Sequence, residues 1–402
     1  MIKNGTYTPA STNGANNFSN SHKTKLIAAA VYNEAPYLKK AHSYMSQGEL
    51  EGKKYGRTYS VYIPDPGKAV DGLEADPDAI NEVEVTVQLD NINTSVELDA
   101  WNKLVDEESF RDEIAKPRGN MLGRALEKKA IEKTIFDAAQ VAIGDASFAT
   151  LSDAAGMLDE AGVAGTKVSF AKPTVMAKIA NSGLAKFIPS DIQKDIYKSK
   201  YLGEYAGASQ IEDSLLPTVD FTGAANVTVT LTPVEDDDGN VIGFEPVKNI
   251  GTGLKAGWAY TVAGLKIVDK TGIQVDQDRA IVVKNTNGDI AELRIAVEGK
   301  TCNNANAWVA DSTITSLTLV PVKTSGEYFV GQVRTESALG FDTYKFSDLP
   351  GSENSTEECC GITVKMSQYG DGKNMQTLVR LDIPHAVCLP DAREAVVMYF
   401  EK

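Results

Sequence analysis

The apolar residues of this chain keep two different periods, and the order in which the periods succeed one another limits the folds open to it. Between Asp106 and Gln140 they recur at helical spacing, whereas between Ala224 and Val322 they alternate with polar residues. Helical spacing cannot settle as a strand, because a strand buries every second side chain and a helix buries a stripe. The chain is therefore read as α+β, with a strand-built block set into a mixed body that resumes after it. At 402 residues it is long enough for two or three domains.

Ahead of the long helical stretch lie an arm and a loop. Residues 1–21 are rich in Asn, Ser, Thr and Gly and offer almost no large apolar side chains to offset the entropy of ordering, so they should be flexible unless a neighbour holds them. Helical spacing begins at Thr24, and Pro36 suits the first turn of a second helix that carries Tyr37, Leu38, Ala41, Tyr44 and Met45 on one side. Such a helix either packs on its own domain or docks on an adjacent subunit. Gly48 to Pro77 contains five glycines, three prolines and the basic cluster Lys53, Lys54 and Arg57. The alternation Tyr59, Val61, Ile63 inside this loop predicts a projecting two-stranded hairpin. Val83 to Leu98 alternates as a half-buried strand does, and nine acids with no Lys or Arg fall between Asp71 and Asp99. An acidic run of this kind is ordinarily a solvated face.

In the helical stretch, Asp106, Glu107 and Glu108 suit a helix N-terminus, and Pro117 with Gly119 should break or restart the helix. Leu122, Leu126, Ile131 and Ile135 then form an apolar stripe beside Arg118, Arg124, Lys128, Lys129 and Lys133. The plain reading is a helix half in the core and half in solvent; the sharper one sets its basic face against a neighbour's acids. Thr166 to Gly183 reads as a strand turning at Lys172-Pro173 into a helix, and Ser190 to Tyr205 as a further helix. Within the β block, Val227 to Leu231, Tyr260 to Val262, Ala280 to Val283, Leu293 to Val297 and Leu317 to Val322 are strands, with a hairpin turn at Asp238-Gly239. Six or so strands of this kind suggest a small barrel bounded by Thr222 and Thr324. Leu378 to Leu381 and Ala395 to Phe400 read as closing strands of the body.

A formal net charge of −15 argues against a protein whose main task is gripping phosphates. The first twenty residues lack the apolar core of a signal peptide, and the longest apolar runs fall far short of the ~20 residues that span a bilayer. Four cysteines (Cys302, Cys359, Cys360, Cys388) and three histidines (His22, His42, His385) form no metal-ligand spacing, and buried or idle thiols are the simpler reading of the cysteines. No nucleophile elbow, phosphate loop or HExxH is present. His385, Cys388 and Asp391 are closely spaced but read as structural, and Glu235 to Asp238 reads as a solvated hairpin tip because it lacks calcium-loop spacing. No catalytic residue, metal site or cofactor is expected.

The succession of arm, extended loop, strand, long helix and strand-Pro-helix (Lys167 to Ser182) resembles a known family. So do Ile211-Glu-Asp-Ser-Leu-Leu-Pro-Thr-Val, the block opening Val227-Thr-Val-Thr-Leu, and the Gly253-Leu-Lys-Ala-Gly and Val262-Ala-Gly-Leu-Lys-Ile runs. Together they are similar to the coat proteins of short-tailed phages of the P-twenty-two type, which share the Hong Kong 97 fold of tailed-phage major capsid proteins. The resemblance implies an N-terminal arm over 1–47, an extended loop over 48–82, a peripheral domain with a spine helix over 83–150 and an axial domain over 151–223. It also implies an inserted β-barrel over 224–322 and completion of the body over 323–402. A major capsid protein of an icosahedral head enclosing double-stranded DNA would be assembled in the host cytoplasm and reside in the virion. Its partners would be itself, as pentamers and hexamers, a scaffolding protein, a portal, DNA held without sequence-specific contacts, and a decoration protein; no membrane is implied. Expected interface residues are Lys53, Lys54, Arg57, Tyr59, Asp71, Glu74, Asp76, Arg118, Arg124, Lys128 and Lys129, with arm docking through Tyr37, Leu38, Tyr44 and Met45. Two other readings stay open: another multi-copy structural protein, such as an encapsulating compartment or tail subunit, and a monomeric binding module using the barrel.

Overall fold

The computed structural model describes residues 20–44, 58–64, 82–99, 110–181, 204–262, 266–268, 274–275, 280–297, 308–348, 350–371 and 376–402. It is an α+β molecule with few helices and many strands.

The body begins with helix α1 (Asn20–Asn33), strand β1 (Thr58–Pro64) and the 18-residue strand β2 (Glu82–Asp99). A π-helical turn over Phe110–Ala115 leads into helix α2 (Lys116–Thr134), with Pro117 in its first turn where the missing N–H costs nothing. The helix thus restarts at Pro117, as its sequence predicts. Gly119 does not break it. A Cβ there would stand 2.5 Å from Ala30 Cβ, and one on Gly123 would stand 2.7 Å from the Val31 carbonyl oxygen. These two glycines, four apart on one face of α2, let α1 lie against its backbone and seal Ile27, Ala28 and Val31 over Leu122 and Leu126.

The chain continues through β3 (Gln140–Gly144), helix α3 (Phe148–Glu160), β4 (Lys167–Ala171) and helix α4 (Pro173–Asn181), which reproduce the expected strand-Pro-helix. Next come β5 (Glu204–Tyr205), β6 (Ala208–Glu212) and β7 (Thr218–Asp220). Of the helix expected over 190–205, residues 190–203 lie outside the described residues, and its last two residues are strand β5, paired with β6.

Twelve short strands then follow among the described residues: β8 (Val227–Thr230), β9 (Pro233–Glu235), β10 (Val241–Phe244), β11 (Val247–Asn249), β12 (Ala259–Val262), β13 (Lys266–Val268), β14 (Gln274–Val275), β15 (Ala280–Val282), β16 (Asp289–Leu293), β17 (Ile295–Val297), β18 (Trp308–Ala310) and β19 (Ser316–Pro321). The β9–β10 hairpin turns at Gly239, whose φ of +79° needs glycine, as the Asp238-Gly239 pair predicts. The pairings form a sheet β14-β13-β18-β17-β10-β9, a sheet β15-β12-β19-β8 and a ribbon β11-β16, and no closed circuit joins them among the described residues.

The chain returns through β20 (Glu327–Thr335), β21 (Gly340–Thr343), β22 (Glu353–Cys359), β23 (Ile362–Asp371), β24 (Gln376–Cys388) and β25 (Ala395–Glu401). These complete two body sheets. One has the order β1-β2-β24-β23-β22, with β21 also on β24; the other is β3-β25-β20-β4-β6-β5, with β7 on β20. In the first, Ile362, Val364 and Met366 of β23 and Val379, Leu381 and Ile383 of β24 alternate inward beneath α1 and α2. In the second, Leu151, Ala154 and Leu158 of α3 and Val175, Met176 and Ile179 of α4 cover Val396, Met398 and Phe400. Where the β block leaves the body, Tyr399 donates to the Gly257 carbonyl at 2.5 Å and Trp258 Nε1 to that of Asp220 at 2.9 Å. Gly257 has φ +84°, and a Cβ there would meet Val219 Cγ2 at 2.4 Å.

The alternation Tyr59, Val61, Ile63 is one strand of a two-stranded ribbon, as expected; its partner is β2, Tyr59 opposite Val87 and Ile63 opposite Val83, which buries Tyr59, Val61, Val83 and Val87 on one face. Another expectation needs correction. The helix expected from Pro36 is only the 3-10 turn Leu38–Lys40, and the backbone is already extended at Ala41. Its apolar residues are consumed by separate contacts instead of forming one helical stripe.

Candidate assembly interface

β2 belongs to two structures in succession. Through Gln88 it pairs with β1, and from Leu89 to Asp99 with β24. The β1–β2 ribbon is thus a continuation of the body sheet beyond the end of β24, seven residue pairs or roughly 23 Å long at strand rise. Tyr59 anchors its root: it is buried and donates to Asp342 Oδ2 at 2.9 Å. Burial, then the Asp342 charge, pushes its phenol well above the usual range. Asp342 Oδ1 accepts from Ser43 Oγ at 2.6 Å, so one buried carboxylate ties the ribbon and the segment around Ser43 to β21. On the ribbon's other face Tyr62 is 57% exposed. A cavity of about 640 Å³ lies between the ribbon and the β block, bordered by Ile63, Val83, Ile281, Trp308 and Leu389. Its charged neighbours are paired, Lys284 with Asp137, Arg393 with Asp391, and Lys248 and Arg294 with Glu292.

The basic residues of α2 do not act together. Lys129 and Lys133 reach Asp90 of their own chain's β2 at 3.3 and 3.6 Å, and Arg118 reaches Thr94 at 3.5 Å. Burial raises the Asp90 pKa, but Lys129 and Lys133 outweigh it and hold the carboxyl below its ordinary range. Arg124 contacts Ser214 at 3.3 Å, and Lys128 is exposed beside Glu132, one turn on. Of this face, Lys129 and Lys133 thus meet an acidic residue of β2 within the chain. Lys53, Lys54, Arg57, Asp71, Glu74, Asp76 and Met45 lie outside the described residues.

Of the arm residues, Tyr37 and Leu38 are buried in their own chain, while Tyr44 keeps 38% of its surface and donates to the Ser337 carbonyl at 2.6 Å. Tyr37 is the centre of a network that no motif announces. Its N–H donates to Glu127 Oε1 at 2.6 Å, its carbonyl accepts from Arg334 Nη2 at 3.0 Å, and its hydroxyl donates to Gln332 Oε1 at 2.7 Å while sharing a bond with Thr134 Oγ1. Arg334 has no exposed surface. It also donates to the Lys40 and Thr335 carbonyls and lies 4.8 Å from the ring centres of both Tyr37 and Phe170. Burial, followed by the charge of Asp213, pushes the Glu127 carboxyl up to about 8, against the opposing pull of the Tyr37 N–H, Lys39 and Arg124. Asp213 is raised too, chiefly by burial; its Oδ1 accepts from the Leu215 N–H, and its Oδ2 has no hydrogen-bond partner among the described residues. Gly123, Glu127 and Arg334 were not singled out by sequence, and Gly119 was read only as a helix breaker; the small-xxx-small spacing of the two glycines was the available signal.

His385 is buried, its Nδ1 is bonded to the Ile383 carbonyl, and burial lowers it to about 4. Asp236 Oδ1 accepts from the Asp238 and Asn240 N–H groups and so caps its turn. Among the described residues no group of three His, Cys, Asp or Glu could hold a metal ion, and no helix is long and apolar enough to cross a membrane.

No protein-family model and no curated protein matches the chain. Solved structures similar to it include Mycobacterium phage Che8, 11% identical with a TM-score of 0.48 over 90% of each chain. The mature capsid of bacteriophage PhiM1 is 10% identical with a TM-score of 0.45, covering 91% of this chain and 87% of that one. The acidic stable capsid of Helicobacter pylori bacteriophage KHP30 is 10% identical with a TM-score of 0.46, covering 92% and 91%.

Proposed function

We propose that this chain is the major capsid protein of a tailed bacteriophage, a structural subunit that assembles into an icosahedral head around double-stranded DNA. The observation that carries the reading is β2, one unbroken strand that is body sheet over Leu89–Asp99 and half of a two-stranded ribbon over Glu82–Gln88. A shell subunit needs a rigid body and a lever continuous with it, so that a contact made at the lever is transmitted to the body without a hinge. A helix laid across that sheet, with the arm's α1 locked to it through Gly119 and Gly123, supplies the rigidity.

On this reading residues 48–82 are the extended loop that lies over a neighbour, 83–150 the peripheral domain with α2 as its spine, and 151–223 with 323–402 the axial part. Residues 224–322 are the inserted domain, a pair of small sheets with a ribbon where a barrel is expected. Assembly proceeds by repetition. Each heterologous contact is small, and the closed lattice multiplies it. Lys53, Lys54 and Arg57 are proposed to pair with Asp71, Glu74 and Asp76 of adjacent subunits. Each exposed pair is worth ~0–1 kcal/mol, so only repetition makes it matter. A scaffolding protein, a portal, a decoration protein and packaged DNA are the further proposed partners, in the virion and during assembly in the host cytoplasm.

Negative-stain electron microscopy of the purified chain, with and without neighbouring phage gene products, tests the function. Round shells, or sheets of capsomer-sized rings, are the expected result; uniformly small particles at high concentration with every candidate partner present would overturn it. Reversing Lys53 and Lys54 to Glu should impair assembly while the subunit stays folded, and normal shells from that variant would remove the cluster from the interface.

A further inference from the structure

The hairpin that joins β22 to β23 turns on two adjacent cysteines. Cys359 ends β22 and Cys360 follows it in the turn with φ +56°, a left-handed conformation. Their sulfurs stand 3.6 Å apart and are not bonded to each other. Cys360 is exposed, whereas Cys359 is half-buried and packs against the core. A tetrahedral centre with metal–sulfur bonds of ~2.3 Å holds two sulfur ligands about 3.8 Å apart, so the pair is set at chelating distance with almost no movement.

The donor set decides which centre fits. A structural divalent cation wants four ligands, and among the described residues no third His, Cys, Asp or Glu joins the pair. A trivalent metalloid that already carries one carbon substituent needs only two more bonds. We propose that Cys359 and Cys360 form a bidentate dithiol site for monosubstituted trivalent arsenicals, and not a site for a divalent cation. In the reaction two As–S bonds form and the As=O unit is lost; its oxygen leaves as water with the two thiol protons, and no atom is oxidised or reduced. The exposed Cys360 sulfur binds first and the Cys359 sulfur closes the ring. Burial, with Cys360 beside it, holds the Cys359 thiol up at about 11, so it enters as a thiol. Closure takes place where Ser21 and Lys25 of α1 engage Glu357, so the bound group sits at the edge of the α1 contact. This inference stands on the hairpin alone and does not depend on the shell reading.

The test treats the reduced full-length chain with one equivalent of phenylarsine oxide and reads the intact mass after challenge with excess glutathione. A single adduct, equal to one phenylarsenic bridge less two hydrogens, should survive the monothiol and be removed by a 1,2-dithiol. C359S and C360S should each lose the glutathione-resistant adduct and C388S should keep it. The same adduct in a C359S/C360S double variant, or none on a chain whose two thiols titrate as free, would overturn the proposal.

Discussion

Glu127 Oε1 accepts the backbone N–H of Tyr37 at 2.6 Å, ninety residues away in the chain, and this bond fastens the segment after α1 to the middle of α2. The carboxylate is buried and close to Asp213, so the ionised form is disfavoured, while the amide it accepts from would otherwise be an orphan donor.

The pH dependence follows from that conflict. Glu127 is raised from its ordinary 4.5 to about 8, so the folded state holds its proton more tightly than the unfolded chain. The stability this contributes is full below about pH 4.5 and is lost as pH rises through about 8. E127Q keeps the acceptor and removes the titration. Urea unfolding at successive pH values should show the variant gaining on wild type across this window by a few kcal/mol, and parallel curves would refute the assignment. E127A, which strands the Tyr37 N–H, should cost about 1–3 kcal/mol at pH 5.

Arg334 should tolerate no substitution. Its guanidinium satisfies the Tyr37, Lys40 and Thr335 carbonyls at once and stacks on two rings, a geometry that an ammonium cannot copy. R334K is expected to destabilise by roughly 2–3 kcal/mol in denaturant unfolding, and R334M by more, because buried carbonyls then lose their donors.

The α1–α2 contact rests on absent side chains. Since a Cβ on Gly123 would meet the Val31 carbonyl at 2.7 Å, backbone must move. G123V should cost about 1–3 kcal/mol, and limited proteolysis should then cut within 20–33, where wild type resists.

Tyr59 holds the ribbon root. Y59F removes a hydrogen bond to a carboxylate, worth roughly 1.5–3 kcal/mol, while Asp342 keeps Ser43. Hydrogen exchange of the 58–64 amides should accelerate in Y59F, with β22–β23 unchanged.

Lys129 and Asp90 should couple weakly. Both side chains are about one-third exposed, so solvent screening limits a K129A/D90A double-mutant cycle to about 0.5–1 kcal/mol, falling with added salt.

Periodicity was sufficient for β2, for the Lys167–Asn181 strand and helix, for the Asp238-Gly239 turn and for the closing strands, because each reports which side chains leave water, and that is a local property. It could not say what covers them. Tyr59 finds Val87 and Asp342, and Tyr37 finds Glu127 and Arg334, across separations of up to 297 residues. Pairing over such distances is decided by packing of the whole body. The same holds for charge: a basic helix and an acidic strand are legible as sequence, but only the tertiary structure decides that Lys129 and Lys133 meet Asp90 within one chain. Composition could not foresee a buried Glu127 or Arg334, since burying either is unfavourable unless distant backbone groups converge on it, and that convergence exists only in the folded molecule.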